Sequence, residues 1–164
     1  PVPGVSAADT ALSVSAFPMD RVLELGFFPK KTKAKRDLLL EIQYFPGTVV
    51  FFDSPERVLD TLTMIQRYLG DRLVCVGREM TKKHEEFLRR PVSELIDHFE
   101  ETEPQGEFTV QIHPTDDPAV DPEEYMAELL EKGVQLKDAA KAAARFSEYA
   151  KSDLYQKGLE LQED

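Results

Sequence analysis

Short apolar runs alternate with stretches of helical spacing, and that alternation predicts the elements of the chain. Thr48-Val49-Val50-Phe51-Phe52 is a continuous β-branched and aromatic run, the pattern of a strand buried on both faces. Asp53-Ser54-Pro55 follows at once. Asp53 or Ser54 supplies a helix cap, and Pro55 suits the first helical turn, where its missing N–H has no partner to lose. Val58, Leu59, Leu62, Ile65 and Leu69 then recur at helical spacing, and Gly70 closes the helix. Leu73–Val76 is a second buried strand that also runs into a charged turn, Gly77 to Glu86. Two consecutive strand–charged-loop units predict an α/β fold with a mixed, largely parallel sheet flanked by helices. Its polar groups gather at one edge, where open α/β sheets bind ligands. An ordinary strand–helix connection has the same local pattern, so this alone assigns no function.

The remaining elements follow from the same signals. Pro3-Gly4 is a turn, Ser6 a cap, and Ala8–Ala16 a small-residue helix ended by Pro18. Val22–Phe28 alternates as a strand, closed by Gly26 and Pro29. Leu38, Leu39 and Ile42 form the apolar stripe of a helix that Pro46-Gly47 terminates. Phe87–Arg90 is a short strand, and Ser93 caps a helix through Phe99. Glu107–His113 is a final strand with Phe108, Val110 and Ile112 on one face. Residues 1–114 thus read as an α/β domain and 115–122 as a polar linker. Residues 123–164 read as an acidic helical tail, with segments Glu123–Lys132 and Lys137–Glu160 separated by Gly133 and a further break near Ser147–Ser152.

Composition narrows the class. An apolar content of 41% supports a packed core, while no window reaches the ~18 uninterrupted apolar residues of a membrane span. The single cysteine, Cys75, lies inside a strand pattern, makes no internal disulfide and reads as a core residue of a reducing compartment. The net charge of −11 is uneven. Residues 1–100 hold 15 acids and 14 bases, whereas residues 101–164 hold 16 acids and 6 bases. A nearly neutral body with basic clusters can meet an anionic ligand that the tail repels. Pro-Val-Pro-Gly at the start reads as a turn inside a larger fold, so a fragment is expected.

The clearest charged feature is Lys30-Lys31-Thr32-Lys33-Ala34-Lys35-Arg36, five cations in seven positions. Two readings stand: a solvated helix start, or a patch contacting nucleic-acid phosphates. No Ser–His–Asp or Cys–His set is arguable, and no phosphate-loop or dinucleotide glycine pattern occurs. Neighbouring His84, Glu85 and Glu86 would point in different directions from a helix, so no metal site is expected.

Several segments, in order, carry a resemblance. They are Pro3-Gly4-Val5-Ser6-Ala7, Gly26-Phe27-Phe28-Pro29-Lys30-Lys31, Phe52-Asp53-Ser54-Pro55-Glu56-Arg57, Arg78-Glu79-Met80-Thr81-Lys82-Lys83-His84-Glu85-Glu86 and Gly106-Glu107-Phe108. Together they resemble the C-terminal half of the ribosomal RNA small subunit methyltransferase I family. Leu136–Lys141 and Ser152–Tyr155 resemble that family's helical tail. The resemblance implies the tetrapyrrole-methylase fold and S-adenosyl-L-methionine as methyl donor, held between two domains. It implies transfer to a cytidine 2′-hydroxyl of 16S ribosomal RNA. The glycine-rich donor-binding segment belongs to the family's first domain, which the resemblance leads one to expect upstream of these residues. By resemblance, Ser6, Ala7, Asp53, Gly106 and Glu107 would touch the donor. Asp53 stands where Glu is common, Glu56 where His is common and Val5 where Pro is common.

Methyl transfer to a ribose hydroxyl calls for a base or hydrogen-bond partner and for cations that hold phosphate. Glu79 and Lys82 are the catalytic candidates. Lys30, Lys31, Lys33, Lys35, Arg36, Arg57 and Arg78 are the candidates for RNA contact. Arg78 pairing with Glu79 to fix the loop is the structural alternative. Expected partners are 16S ribosomal RNA or the small ribosomal subunit, the protein's own N-terminal domain and a second copy in a homodimer. The expected place is the bacterial cytoplasm, or an organelle in a eukaryotic source. Rival readings are a methyltransferase for a tetrapyrrole or other small substrate, against which the basic run argues, and a non-catalytic docking or dimerisation module.

Overall fold

The computed structural model describes residues 1–115, 121–144 and 149–163. They form two compact units, Pro1–Thr115 and Asp116–Asp164. The first holds α1 (Ala7–Ser15), β1 (Val22–Phe27), α2 (Thr32–Ile42), β2 (Thr48–Asp53), α3 (Pro55–Leu69), β3 (Leu73–Arg78), β4 (Glu86–Pro91), α4 (Val92–Glu101) and β5 (Phe108–Ile112). The second holds α5 (Pro122–Glu131), α6 (Leu136–Ala143) and α7 (Lys151–Glu163).

The five strands lie in the order β1-β2-β5-β3-β4. The sheet is mixed, as expected, but not largely parallel in its pairings. Only β1 and β2 pair in parallel; β5 enters antiparallel between β2 and β3, and β4 returns antiparallel along β3. β1, β2 and β3 still share one direction, so the carboxyl ends of β2 and β3 remain at one edge. There Asp53 and Arg78 flank Phe108, the first residue of β5, in register.

Alternation along β5 sorts the layers. Phe108, Val110 and Ile112 face the helical side, where Phe99 of α4 meets Phe108 edge-on at 5.6 Å. On the other face, Ala8 and Leu12 of α1 pack on Val50, with Phe52 alongside. β2 is buried at every position but the half-buried Phe52, as its continuous apolar run predicts.

Two local expectations change. Ser93 lies in the first turn of α4 and is not its cap: Pro91 holds the cap position. The Asp71 carboxylate reaches across to accept from the Ser93 N–H at 2.8 Å and its hydroxyl at 2.9 Å, satisfying helix-start donors from outside the helix. On α2 the buried stripe is Lys35, Leu39 and Ile42, with Leu40 beside it, while Leu38 is half-buried.

In the second unit the Asp121 carboxylate caps α5 through the N–H groups of Glu123 and Glu124, with Pro122 in the first turn. Gly133, at φ +79°, turns the chain between α5 and α6. A Cβ on Gly158 would collide with Leu136 and crowd Met126, so this glycine lets α7 approach its two neighbours. Of the expected linker, residues 116–120 lie outside the described residues. So do residues 145–148, which include part of the expected break near Ser147–Ser152.

Candidate functional site

Because Asp53, Phe108 and Arg78 stand in register, the loops that extend from them meet above one end of the sheet. Together with the start of α1 they enclose a cleft of about 550 Å³. Ser6 and Ala7 line it from α1, Asp53 from β2, Lys82 from the β3–β4 loop, and Gly106 and Glu107 from the turn before β5. Val5, Phe27, Phe52 and Met80 supply apolar wall. The volume falls within the ~300–1,000 Å³ of small-molecule clefts, and an apolar lining with few placed polar groups is their usual make-up.

Ser6 is the N-cap of α1, its hydroxyl oxygen accepting from the Asp9 N–H at 3.2 Å. Asp53 is fully enclosed and its carboxylate is consumed within the protein. One oxygen accepts from the Ser54 N–H at 2.9 Å and from Arg57 Nε at 2.9 Å, with a second Arg57 nitrogen at 2.7 Å. The other accepts from the Thr61 hydroxyl at 2.6 Å. Lys35 continues the chain of contacts, donating to Thr61 Oγ1 at 2.9 Å and to Asp60 at 2.7 Å.

These contacts correct one expectation about phosphate binding and bear on another. Lys35 is 1% exposed and ion-paired, so it is no part of a surface patch. Its spacing explains this, since it sits four residues before Leu39 and seven before Ile42 on one helical face. Arg57 is held to Asp53 through its guanidinium. Arg36 pairs with the adjacent Asp37 at 2.7 Å. Lys30, Lys31 and Lys33 remain exposed.

The β3–β4 loop is clasped to the turn before β5. Glu79 Oε1 accepts from the Glu107 N–H at 3.0 Å and from Lys82 Nζ at 3.1 Å, and the Glu79 N–H donates to the Glu107 carbonyl at 3.2 Å. Lys82 also meets the Glu107 carboxylate at 3.1 Å. The Glu107 N–H, and then Lys82, hold the Glu79 carboxyl below the usual glutamate range. Glu79 and Glu107 together hold the Lys82 ammonium above the usual lysine range. Glu79 (φ +49°) and Thr81 (φ +64°) both adopt the left-handed conformation that side chains resist, a strain typical of functional loops. Gly106 lies so close beneath Glu79 that a Cβ would collide with the carboxylate. Arg78 pairs with Glu86, its register partner across the ladder, at 3.1 Å, and not with Glu79. Its Nε is buried without a partner among the described residues.

The sequence reading missed Phe27, Phe52, Met80 and Thr81 as cleft residues. For the first two a signal existed: Gly26 interrupts an alternating strand, a mark of a bulge that redirects side chains.

Comparison with known proteins bears on the same residues. Among curated proteins the chain is 49% identical over 109 residues to Ribosomal RNA small subunit methyltransferase I of Thermotoga maritima, covering 66% of this chain and 49% of that protein. To the protein of the same name from Synechocystis it is 34% identical over 171 residues, covering all of this chain and 61% of that one. The chain thus spans half to three-fifths of the length of these relatives. Among solved structures, the cobalamin biosynthetic enzyme cobalt precorrin-4 methyltransferase matches with a TM-score of 0.51 at 18% identity, over 68% of this chain and 50% of that one, which supports the fold. The sequence model of the Tetrapyrrole (Corrin/Porphyrin) Methylases matches residues 1–96. With more than half of its length matched, and the sheet and cleft described above, the chain belongs to the tetrapyrrole (corrin/porphyrin) methylase family.

Proposed function

We propose that the chain forms one wall of the catalytic cleft of an S-adenosyl-L-methionine-dependent 2′-O-methyltransferase acting on a cytidine of 16S ribosomal RNA. One observation carries the reading. Four separated segments that resemble ribosomal RNA methyltransferases, around Ser6, Asp53, Lys82 and Gly106, converge on the same 550 Å³ cleft. The names of the relatives support the substrate class, and their bacterial sources support a cytoplasmic setting.

The lining fits a sulfonium-bearing nucleoside: apolar and aromatic surface from Phe27, Phe52 and Met80, with carboxylates and hydroxyls around it. Ser6 and Ala7 would hold the donor on one side, Gly106 and Glu107 on the other. When bound, the donor supplies an electrophilic methyl group on a positively charged sulfur. The chain's own residues position the acceptor and manage charge. Asp53, saturated by Ser54, Arg57 and Thr61, fixes the wall. Glu79 Oε1 is already engaged by the Glu107 N–H and by Lys82, so Glu79 serves to fix Lys82 and the turn that bears Glu107. Lys82, at the cleft wall, then orients the ribose or its phosphate.

The test is methyl transfer from labelled donor to small ribosomal subunits, with the chain supplied with a donor-binding half. Nuclease digestion yielding 2′-O-methylcytidine is the expected result. Transfer confined to a tetrapyrrole, or absent from RNA with both halves present, would sink the proposal.

A further inference from the structure

Phe27 is a large aromatic side chain left 76% exposed on the lip of the cleft. Its position is built by the backbone. β1 runs in register with β2 from Val22↔Thr48 to Glu24↔Val50, where simple continuation would set Gly26 against Phe52. An irregularity after Glu24 advances the register by one residue, so Phe27 stands opposite Phe52 instead. Gly26 takes the required turn at φ +67°. The Phe28 N–H then donates to the Phe52 carbonyl at 2.9 Å, and the Phe28 ring buries against Phe51. Phe27 therefore sits on the cleft side, edge-on to Phe52 at 5.7 Å and 61°. The ring is anchored at one edge while most of its surface is open.

The chain leaves this ring directly into exposed cations. Lys30, Lys31 and Lys33 are all on the surface, and none is ion-paired among the described residues. Lys31 lies at most ~14 Å from Phe27, whatever path the intervening residues take. An open aromatic face followed by cations at that reach matches the chemistry of a single-stranded nucleic acid, whose bases stack while its phosphates pair with lysines. A small neutral or cationic ligand confined to the cleft would have no use for the lysines.

We infer that Phe27 is a stacking platform for an unpaired nucleobase of the RNA, with Lys30, Lys31 and Lys33 holding the adjoining phosphates. This rests on the RNA reading above and names the residue that grips the strand at the cleft. The test uses the 164-residue chain with two probes of equal length and charge, an oligocytidine and an abasic ribose–phosphate oligomer. The wild-type chain is expected to prefer the oligocytidine by about tenfold or more. Phe27→Ala loses the preference and binds both as weakly as the abasic probe, and Phe27→Trp restores it. The exposure of the ring keeps these variants folded. A Phe27→Ala chain that retains the preference would overturn the inference. So would one that keeps it but loses affinity for S-adenosyl-L-methionine, which assigns the ring to the donor's adenine, or one that keeps it but changes oligomeric state, which assigns the ring to a protein contact. Equal, strongly salt-dependent wild-type binding to both probes removes the platform and leaves the RNA reading standing. No binding to either removes the platform and its lysines, while the RNA reading keeps its own test with both halves present.

Discussion

Two lysines on one basic run should respond very differently to charge reversal. Lys35 is buried against Asp60 and Thr61. Lys35→Glu buries an unpaired carboxylate next to the largely exposed Asp60 and should destabilise the fold by about 3–5 kcal/mol, read from urea unfolding. Lys31→Glu alters an exposed charge and should stay within about 0.5 kcal/mol. The difference was legible in the spacing, since Lys35 falls on the stripe of Leu39 and Ile42. Five cations in seven positions suggest one surface cluster by charge alone, whether solvated or phosphate-binding; helical period separates Lys35 from the rest. The full pairing of Asp53 was not legible, because the Thr61 hydroxyl reaches its second oxygen only once α3 packs beside β2. Glu79 offers a second test at this scale. If it positions Lys82, Glu79→Gln should lower turnover of the complete enzyme by about tenfold with donor affinity unchanged. Loss of ~10²–10⁴-fold would return it to the role of base.

At the scale of the element, the loop clasp sets a pH window. Glu79 is depressed below its ordinary value, so its contribution is complete above the unfolded glutamate pKa of about 4.3 and is lost as pH falls through the lower folded value. Lys82 is raised above its ordinary value of about 10.4, so its contribution is complete below that and is lost as pH rises through the higher folded value. The clasp should hold without change from about pH 5 to 10. Hydrogen exchange at the Glu107 amide, corrected for intrinsic rate, should show level protection across that window and lose it in stronger acid. Gly106→Ala should remove the protection at every pH, because the added methyl displaces the Glu79 carboxylate and φ of +87° strains any side chain. All five strands could be read from local pattern, β5 among them. Their order could not: β5 has the same alternation whether it sits at an edge or between two strands, and periodicity names no partner. Ser93 shows the same limit, since the true cap comes from Asp71, far off in sequence.

At the scale of the whole molecule, charge divides along the units. Pro1–Thr115 carries 18 acids and 14 bases, whereas Asp116–Asp164 carries 13 acids and 6 bases. Neutralising the exposed Glu124, Glu131 and Glu160 to Gln should raise affinity for oligocytidine at low salt, where the field of a charge persists over ~30 Å. The curves for wild type and variant should converge as salt rises. A gain that persists at high salt would show that these acids act by something other than their field.

The place of β5 has a further result for how the protein comes into being. The central strand of the sheet is the last of the five to be made, and β2 and β3 join one sheet only through it. A nascent chain that has emerged only through α4 therefore carries two open strand edges and an apolar helical layer with no sheet to complete it. Completion waits for long-range closure, a slow class of folding event during which such edges invite association. Synthesis paused before Phe108 should leave a protease-sensitive, chaperone-bound chain, and release of five more residues beyond that point should convert it to a resistant one.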